Sequence, residues 1–282
     1  MKKIRISAKI DSFCYPDGTT ALRDIDMEIE QGEFCGILGS NGSGKTTLLK
    51  LLDGIIKDFN GNILLDGVDL QKLTPRQIYS KVGLVFQNPD DQLFANSVFE
   101  DVAFGPRNMG FSESEVKLRV NNALQAVEMD EFSGKDIHFL SYGQKKRTCI
   151  AGLLAMGHEI LLMDEPTAGL DPMGEHKMME LLIRLNRESK VTMVMATHSV
   201  DLAPLFLSRL HILSRGRVVR SGTPEEVFNA GDDLAQVKLR LPYIAELIRQ
   251  MKTGDHMPFK RLPLTIGEAR REIVELFGMQ RP

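Results

Sequence analysis

Residues Phe34-Cys35-Gly36-Ile37-Leu38 form a short apolar run of the kind that makes a buried strand. Directly after it come Gly39-Ser40-Asn41-Gly42-Ser43-Gly44-Lys45-Thr46 and then Thr47-Leu48-Leu49-Lys50-Leu51-Leu52, which reads as the opening turns of a helix. A strand, a glycine-rich G-x-x-x-x-G-K-[ST] loop and a helix in that order commit this stretch to an α/β unit. The loop N–H groups and the positive end of the helix then converge on one point. Glycines 39, 42 and 44 keep Cβ atoms out of the way of a group wrapped by main chain. That point suits a polyphosphate: Lys45 adds a full charge for the β and γ phosphates, and the Thr46 hydroxyl is placed for Mg²⁺. Nucleotide binding is therefore expected, with Gly39, Ser40, Asn41, Gly42, Ser43, Gly44, Lys45, Thr46 and Thr47 as the cradle. Lys45 reads as an exposed ammonium whose loss would leave core packing intact.

The rest of the chain is consistent with one large α/β unit. Residues 4 to 15 and 21 to 30 read as strands separated by the turn Pro16-Asp17-Gly18, and residues 61 to 67 as a further strand closing in a turn. From about 89 to 155 the pattern is mainly helical; Val116, Val120, Ala123, Leu124 and Val127 share one face. Two aliphatic runs, 160 to 163 and 191 to 196, flank a helical stretch over 173 to 187. Strands apolar throughout imply a parallel sheet buried on both faces, so the segment 89 to 155 is an insertion in one core. The character changes near Gly231-Asp232-Asp233. Beyond it, two short amphipathic helices are expected, one with Ile244, Leu247, Ile248 and Met251 and one with Ile266, Ala269, Ile273, Leu276 and Phe277, opening on a Thr265…Glu268 capping box. The division is thus 1–233 and 234–282, the second piece too small for a core of its own.

Composition narrows the function classes. A net charge of −3 argues against a general nucleic-acid binder. Cys14, Cys35 and Cys149 are odd in number and widely spaced, which suggests neither a disulfide framework nor a zinc site and fits a reducing cytoplasm. No signal-like apolar stretch follows the N-terminal lysines and no run reaches membrane-spanning length, so any membrane role is expected to be peripheral.

The run Ile160-Leu161-Leu162-Met163 ends in Asp164 and Glu165. Acids at the carboxyl end of a parallel strand sit on the sheet edge where open α/β folds bind ligands. Next to a phosphate loop, Asp164 would hold Mg²⁺ through water, and Glu165 would polarise a water for attack on the γ phosphorus.

Taken together, these motifs resemble those of ATP-binding cassette ATPases, over roughly residues 1 to 230. Leu140-Ser141-Tyr142-Gly143-Gln144 resembles the family signature L-S-G-G-Q; Val85-Phe86-Gln87 matches the glutamine loop, Ala168-Gly169-Leu170-Asp171 the D-loop, and Ala196-Thr197-His198 the switch histidine. Tyr15 matches the aromatic that stacks on adenine. The resemblance implies a P-loop NTPase fold: a RecA-like parallel sheet core, an antiparallel β subdomain, a helical insertion and a small C-terminal helical extension. It also implies Glu165 and His198 as catalytic groups, Thr46, Gln87 and Asp164 around Mg²⁺, and ATP as the nucleotide. Ser141, Gly143 and Gln144 would meet the ATP of a facing subunit, identical or homologous, and Asp171 is the D-loop acid. Tyr142 departs from the family glycine: it could crowd the facing subunit, tune hydrolysis or lie outward.

Residues 88 to 94 and 98 to 106, Asn-Pro-Asp-Asp-Gln-Leu-Phe and Val-Phe-Glu-Asp-Val-Ala-Phe-Gly-Pro, are similar to the ATPases of energy-coupling-factor importers, especially the cobalt and nickel group. That resemblance implies an ATPase on the cytoplasmic face of the membrane, working with integral coupling and substrate-binding proteins and with no nucleic acid. Import of another micronutrient such as a vitamin, a cassette acting on DNA or ribosomes, or a non-hydrolysing nucleotide-gated module are the alternatives. Phe94, Val98 and Phe104 line either a docking groove or the core of the insertion.

Overall fold

The computed structural model describes residues 3–229 and 239–278, so the change of character near Gly231-Asp232-Asp233 lies outside the described residues. The chain opens with β1 (Ile4–Cys14) and β2 (Thr20–Glu30), an antiparallel pair whose turn is held by Gly18 N–H donating to Tyr15 O and Thr19 N–H donating to the Asp17 carboxylate. β3 (Phe34–Leu38) and α1 (Lys45–Leu52) flank the glycine loop. β4 (Asn60–Leu65) and β5 (Val68–Asp69) complete a four-stranded antiparallel sheet in the order β2-β1-β4-β5.

After α2 (Pro75–Tyr79) and β6 (Val82–Val85) the chain leaves the sheet for α3 (Val98–Asn108), α4 (Glu113–Ala126) and α5 (Tyr142–Met156). It returns as β7 (Ile160–Asp164), crosses by α6 (Pro172–Ser189) to β8 (Thr192–Thr197), and continues through α7 (Ala203–Phe206) to the hairpin β9 (Arg209–Ser214) and β10 (Arg217–Gly222). The second sheet runs β10-β9-β3-β8-β7-β6, parallel except for the β10 edge. α8 (Pro224–Phe228), α9 (Tyr243–Thr253) and α10 (Ile266–Leu276) end the described chain.

The parallel strands are apolar because each faces two cores, and strict alternation sorts their side chains. Ile160 and Leu162 of β7, Val194 and Ala196 of β8, and Cys35 and Ile37 of β3 join α1 and the antiparallel sheet. Leu161 and Met163, Met193 and Met195, and Phe34 and Leu38 join the helices of the insertion and α6. Burying one such side chain is worth about 1.5–3 kcal/mol, so a one-residue slip of β7 would exchange its contacts between cores at every position.

At the C-terminal end Ile248, Phe259 and Ala269 make a small cluster of their own, while Leu239, Ala245 and Leu264 join the main core and Arg240 pairs with Asp201. Leu247 and Ile266, counted with the apolar faces in the sequence, are exposed. Only half of the Thr265…Glu268 box forms as expected: Glu268 N–H donates to Thr265 Oγ1, but the Glu268 carboxylate reaches back one residue further, to Leu264 N–H at 2.8 Å.

His211 on β9 is buried, with Nδ1 2.8 Å from Ser221 Oγ on β10, and burial, with Arg209 nearby, holds its pKa down to about 4. The folded value lies below the unfolded 6.5, so the fold favours the neutral ring. Its contribution is full above pH 6.5 and is lost as pH falls through 6.5 toward 4, about 3 kcal/mol in all. His211→Asn should therefore flatten the loss of urea stability between about pH 7 and pH 4.5. A variant that weakens in acid as steeply as wild type would contradict this account.

Candidate active site

Parallel strands leave their carboxyl ends on one edge, and register decides which ends meet. Leu38 pairs with Thr197 and Asp164 with Ala196, so the loops after β3, β7 and β8 start at the same height. α1 then packs across β7 and β8, which carries its first residues over the acids at the end of β7. A cleft of about 700 Å³ opens there, lined by Asn41, Gly42, Gly44, Lys45, Thr46 and Thr47 from the loop and α1, by Gln87, Asp164, Glu165 and His198, and by Tyr15 at the rim.

The glycines have separate reasons. At Gly39 a Cβ would stand 2.4 Å from the main-chain oxygen of Leu213, at Gly44 2.9 Å from that of Ala21, and Gly42 and Gly44 have φ of +76° and +107°. Two of the three are thus fixed by the chain's own backbone passing close by, whatever the loop binds. Lys45 is a correction to the sequence reading: it is buried, donating from Nζ to Gly39 O at 2.8 Å and to Ser40 O at 3.4 Å, and lying 3.5 Å from Glu165 Oε1. Ser43 Oγ is buried inside the loop without a hydrogen-bond partner.

The Thr46 hydroxyl donates to Asp164 Oδ2 at 2.6 Å, joining residues 118 positions apart. Burial pushes the Asp164 carboxyl above the usual carboxylate range, against the Thr46 hydrogen bond and the charge of Lys45. Glu165 takes φ of +49°, rare for a residue with a side chain. Its N–H donates to Ala196 O at 2.9 Å, and its Oε1 lies 3.0 Å from His198 Nδ1. Tyr15 is half-buried, its hydroxyl 2.9 Å from Thr47 Oγ1 and its ring edge-on to Phe13.

Ser141, Gly143, Gln144 and Asp171 do not line this cleft. Ser141 and Gln144 form a capping box on α5, Gln144 N–H donating to Ser141 Oγ and Ser141 N–H to Gln144 Oε1, while Asp171 caps α6 by accepting from Gly174 N–H at 2.6 Å. The S-x-x-Q spacing signals that cap in the sequence. Tyr142 turns in on its own subunit: its hydroxyl donates to the main-chain oxygen of Gln87 at 3.3 Å, and a Cβ on Gly169 would come within 2.8 Å of its ring.

Thr19, Thr20, Ala21, Arg23, Arg215 and Gly216 also line the cleft and were not identified from sequence. The last two form the β9–β10 turn, both at positive φ, and Gly216 N–H donates to Ser43 O at 2.9 Å under the phosphate loop. An Arg-Gly pair between two apolar runs was the available signal for a hairpin.

The fold agrees with that of related proteins. The ABC transporter family model matches residues 22–168. The chain belongs to the ABC transporter family. It is an ABC ATPase, an enzyme that couples ATP hydrolysis to transport. A relative in Geobacter sulfurreducens, provisionally assigned as an ABC transporter ATP-binding protein, is 68% identical over 99% of this chain and 100% of its own length. An energy-coupling factor transporter ATP-binding protein of Methanococcus maripaludis is 46% identical, covering 93% of this chain and 95% of the relative. Among solved structures, cbiO1 of Clostridium perfringens, described as part of the ABC transporter complex cbiONQ, superposes with a TM-score of 0.76 at 42% identity over 88% of this chain and 100% of that one. A dimeric ATP-binding cassette in a post-hydrolysis state with ADP and Pi gives 0.69 at 30% identity, covering 78% and 98%.

Because Lys45 is buried, Lys45→Met is a cleaner test of the phosphate loop than truncation to Ala: it keeps the stem volume and removes the charge. ATP affinity should fall by about 100-fold or more, as for a desolvated charged contact of roughly 3 kcal/mol, with an unchanged circular dichroism spectrum. Wild-type affinity in the variant would remove Lys45 from the binding site.

Proposed function

We propose that this chain is the ATP-hydrolysing subunit of an importer of the energy-coupling-factor type, powering uptake of cobalt or nickel ions. One observation carries the catalytic part: Lys45, Glu165 and His198 touch in series, at 3.5 and 3.0 Å, beside the Thr46–Asp164 pair in a single cleft. The loop N–H groups and Lys45 would hold the β and γ phosphates. The Glu165 carboxylate would take the proton from the attacking water, with His198 beside it to bond the γ phosphate, and Tyr15 at the rim would stack on adenine.

Thr46 and Asp164 offer hard oxygen donors within bonding reach of each other, and the described residues hold no cluster of three or more acidic, His or Cys ligands. That donor set fits Mg²⁺, which binds through one or two protein oxygens together with substrate phosphates and water. Thr46, Asp164 and Gln87 would hold the ion, and it would offset the charge developing on the phosphates.

Ser141, Gly143 and Gln144 sit at the start of α5 outside the chain's own cleft, which supports their acting on the ATP of a second cassette in a two-fold dimer. The related ATP-binding cassette solved with ADP and Pi is a dimer. The import reading rests on the energy-coupling-factor relative and on cbiO1. No helix among the described residues is long and apolar enough to cross a membrane. The same two relatives support a peripheral subunit on the cytoplasmic face, under integral coupling and substrate-binding proteins. Of the three groove residues, Val98 is fully buried in the insertion core, whereas Phe94 and Phe104 are 65% and 48% exposed and stack edge to face at 4.7 Å. That exposed pair is the proposed docking point for the membrane partner, and the short C-terminal piece after about residue 234 is an appendage to the catalytic unit.

Glu165→Gln should bind Mg-ATP yet lose a factor of about 10²–10⁴ in turnover, so the ATP-bound dimer accumulates. Light scattering with and without ATP reads this directly, and a monomer in ATP would contradict the shared-site reading. Phe94→Asp with Phe104→Asp should release the integral membrane partner during co-purification from detergent extracts while basal ATPase activity stands. Co-purification of the wild type with ribosomes or DNA would replace the importer reading.

A further inference from the structure

Lys146 has 0% exposure and ranks among the largest fully buried side chains in the molecule, which is unusual for an amine. It stands on the first turns of α5, four residues after Tyr142 and therefore on the same helix face. Its Nζ donates to the main-chain oxygen of Glu165 at 2.8 Å, and the Tyr142 ring covers the ammonium with its centroid 5.2 Å away. The Asp164 and Glu165 carboxylates lie near enough to favour the charged amine, while burial brings its pKa down to about 8.

The group that Lys146 holds is the one whose backbone most needs holding. Glu165 is in the left-handed region, where a side chain crowds its own carbonyl. Its peptide groups are fixed by its N–H to Ala196 O at 2.9 Å, by Ala168 N–H to its oxygen at 3.0 Å, and by the Lys146 ammonium. Of these three bonds, the last is charge-assisted and is buried away from water, where such a bond is strongest. It also fixes which way the Glu165 peptide plane faces, and so where Oε1 stands beside His198.

We propose that Lys146 is the positioning residue for Glu165: from the signature helix it clamps the left-handed backbone that presents the carboxylate, and Tyr142 seals the clamp. This explains the aromatic residue at position 142. One face of α5 thereby fastens on the main chain of residue 165 through Lys146 and on that of residues 87 and 169 through Tyr142, by the hydroxyl bond to Gln87 O and the ring against Gly169. The helix whose first residues are offered to a second cassette thus also orders two loops of its own cassette, the one at Gln87 and the one from Glu165 to Gly169. The proposal rests on the reading of Glu165 as general base.

The test compares Lys146→Met, which keeps the volume and removes the donor, and Lys146→Gln, which returns an N–H donor, with Glu165→Gln as reference. Each is measured for steady-state ATP hydrolysis and for amide hydrogen exchange of the loop 165–170. Lys146→Met should lower kcat by about tenfold or more while KM for ATP stays within about twofold, and exchange in the loop should quicken; Lys146→Gln should recover part of both. Wild-type kcat together with unchanged exchange in Lys146→Met would overturn the proposal, and so would a rise in KM as large as the fall in kcat. If Lys146→Met does not fold, Lys146→Leu, which also removes the donor, takes its place: a lowered kcat at constant KM supports the clamp and a wild-type kcat overturns it. If instead Glu165→Gln turns over like wild type, the general-base reading fails, and the exchange data alone decide the clamp, faster exchange in Lys146→Met supporting it and unchanged exchange overturning it.

Discussion

The site depends on the parallel alignment of β3, β8 and β7, whose carboxyl ends open on one edge of a sheet buried on both sides. The pairing of Leu38 with Thr197 and of Asp164 with Ala196 sets the loops that follow to a common height, and the Thr46–Asp164 hydrogen bond closes the arrangement by tying the start of α1 to the end of β7. Register is secure because every residue of β7 and β8 is buried and alternate side chains belong to different cores. A site assembled from residues far apart in sequence needs this certainty. Strand ends are the part of an α/β fold that a rigid sheet positions best.

Charge is balanced locally within that edge. Lys45 lies among the loop carbonyls and Glu165, Asp164 is held by Thr46, and Lys146 supports Glu165 from beneath. Buried ions are costly unless paired or hydrogen-bonded, and here each of the four has a partner from a different segment of the chain. The cleft is therefore ordered by the protein's own contacts. Three of the motif residues have a structural task in their own subunit: Ser141 and Gln144 cap α5, and Asp171 caps α6.

Much of this was legible from periodicity and motif. The G-x-x-x-x-G-K-[ST] loop, the two acids closing β7 and the insertion helix with Val116, Val120, Ala123, Leu124 and Val127 inward all read correctly, because each is a local pattern with a local physical cause. What failed depended on neighbours. Lys45 looked exposed since lysines usually are, yet its ammonium is drawn into the carbonyls of its own loop. For Phe94, Val98 and Phe104 the sequence left groove and insertion core open; Val98, the first residue of α3, faces inward, while the two phenylalanines are exposed. The β9–β10 hairpin passed unnoticed, and with it Arg215 and Gly216 at the cleft.

The sequence by itself determined the fold class, the glycine loop between its strand and helix, the order of the motifs and the resemblance to ABC ATPases, since spacing and residue type carry those. Tertiary structure decided the rest. It separated the two cores that alternate along β7, gave Gly39 and Gly44 their reason in the close passage of Leu213 and Ala21, and turned Tyr142 inward on Gln87 and Gly169. It also buried Lys146 against the carbonyl of Glu165, nineteen positions away. The physical reason is the same in each case: a hydrogen-bonding group or a Cβ is defined by what packs against it, and that partner comes from another strand or helix whose approach no local pattern encodes.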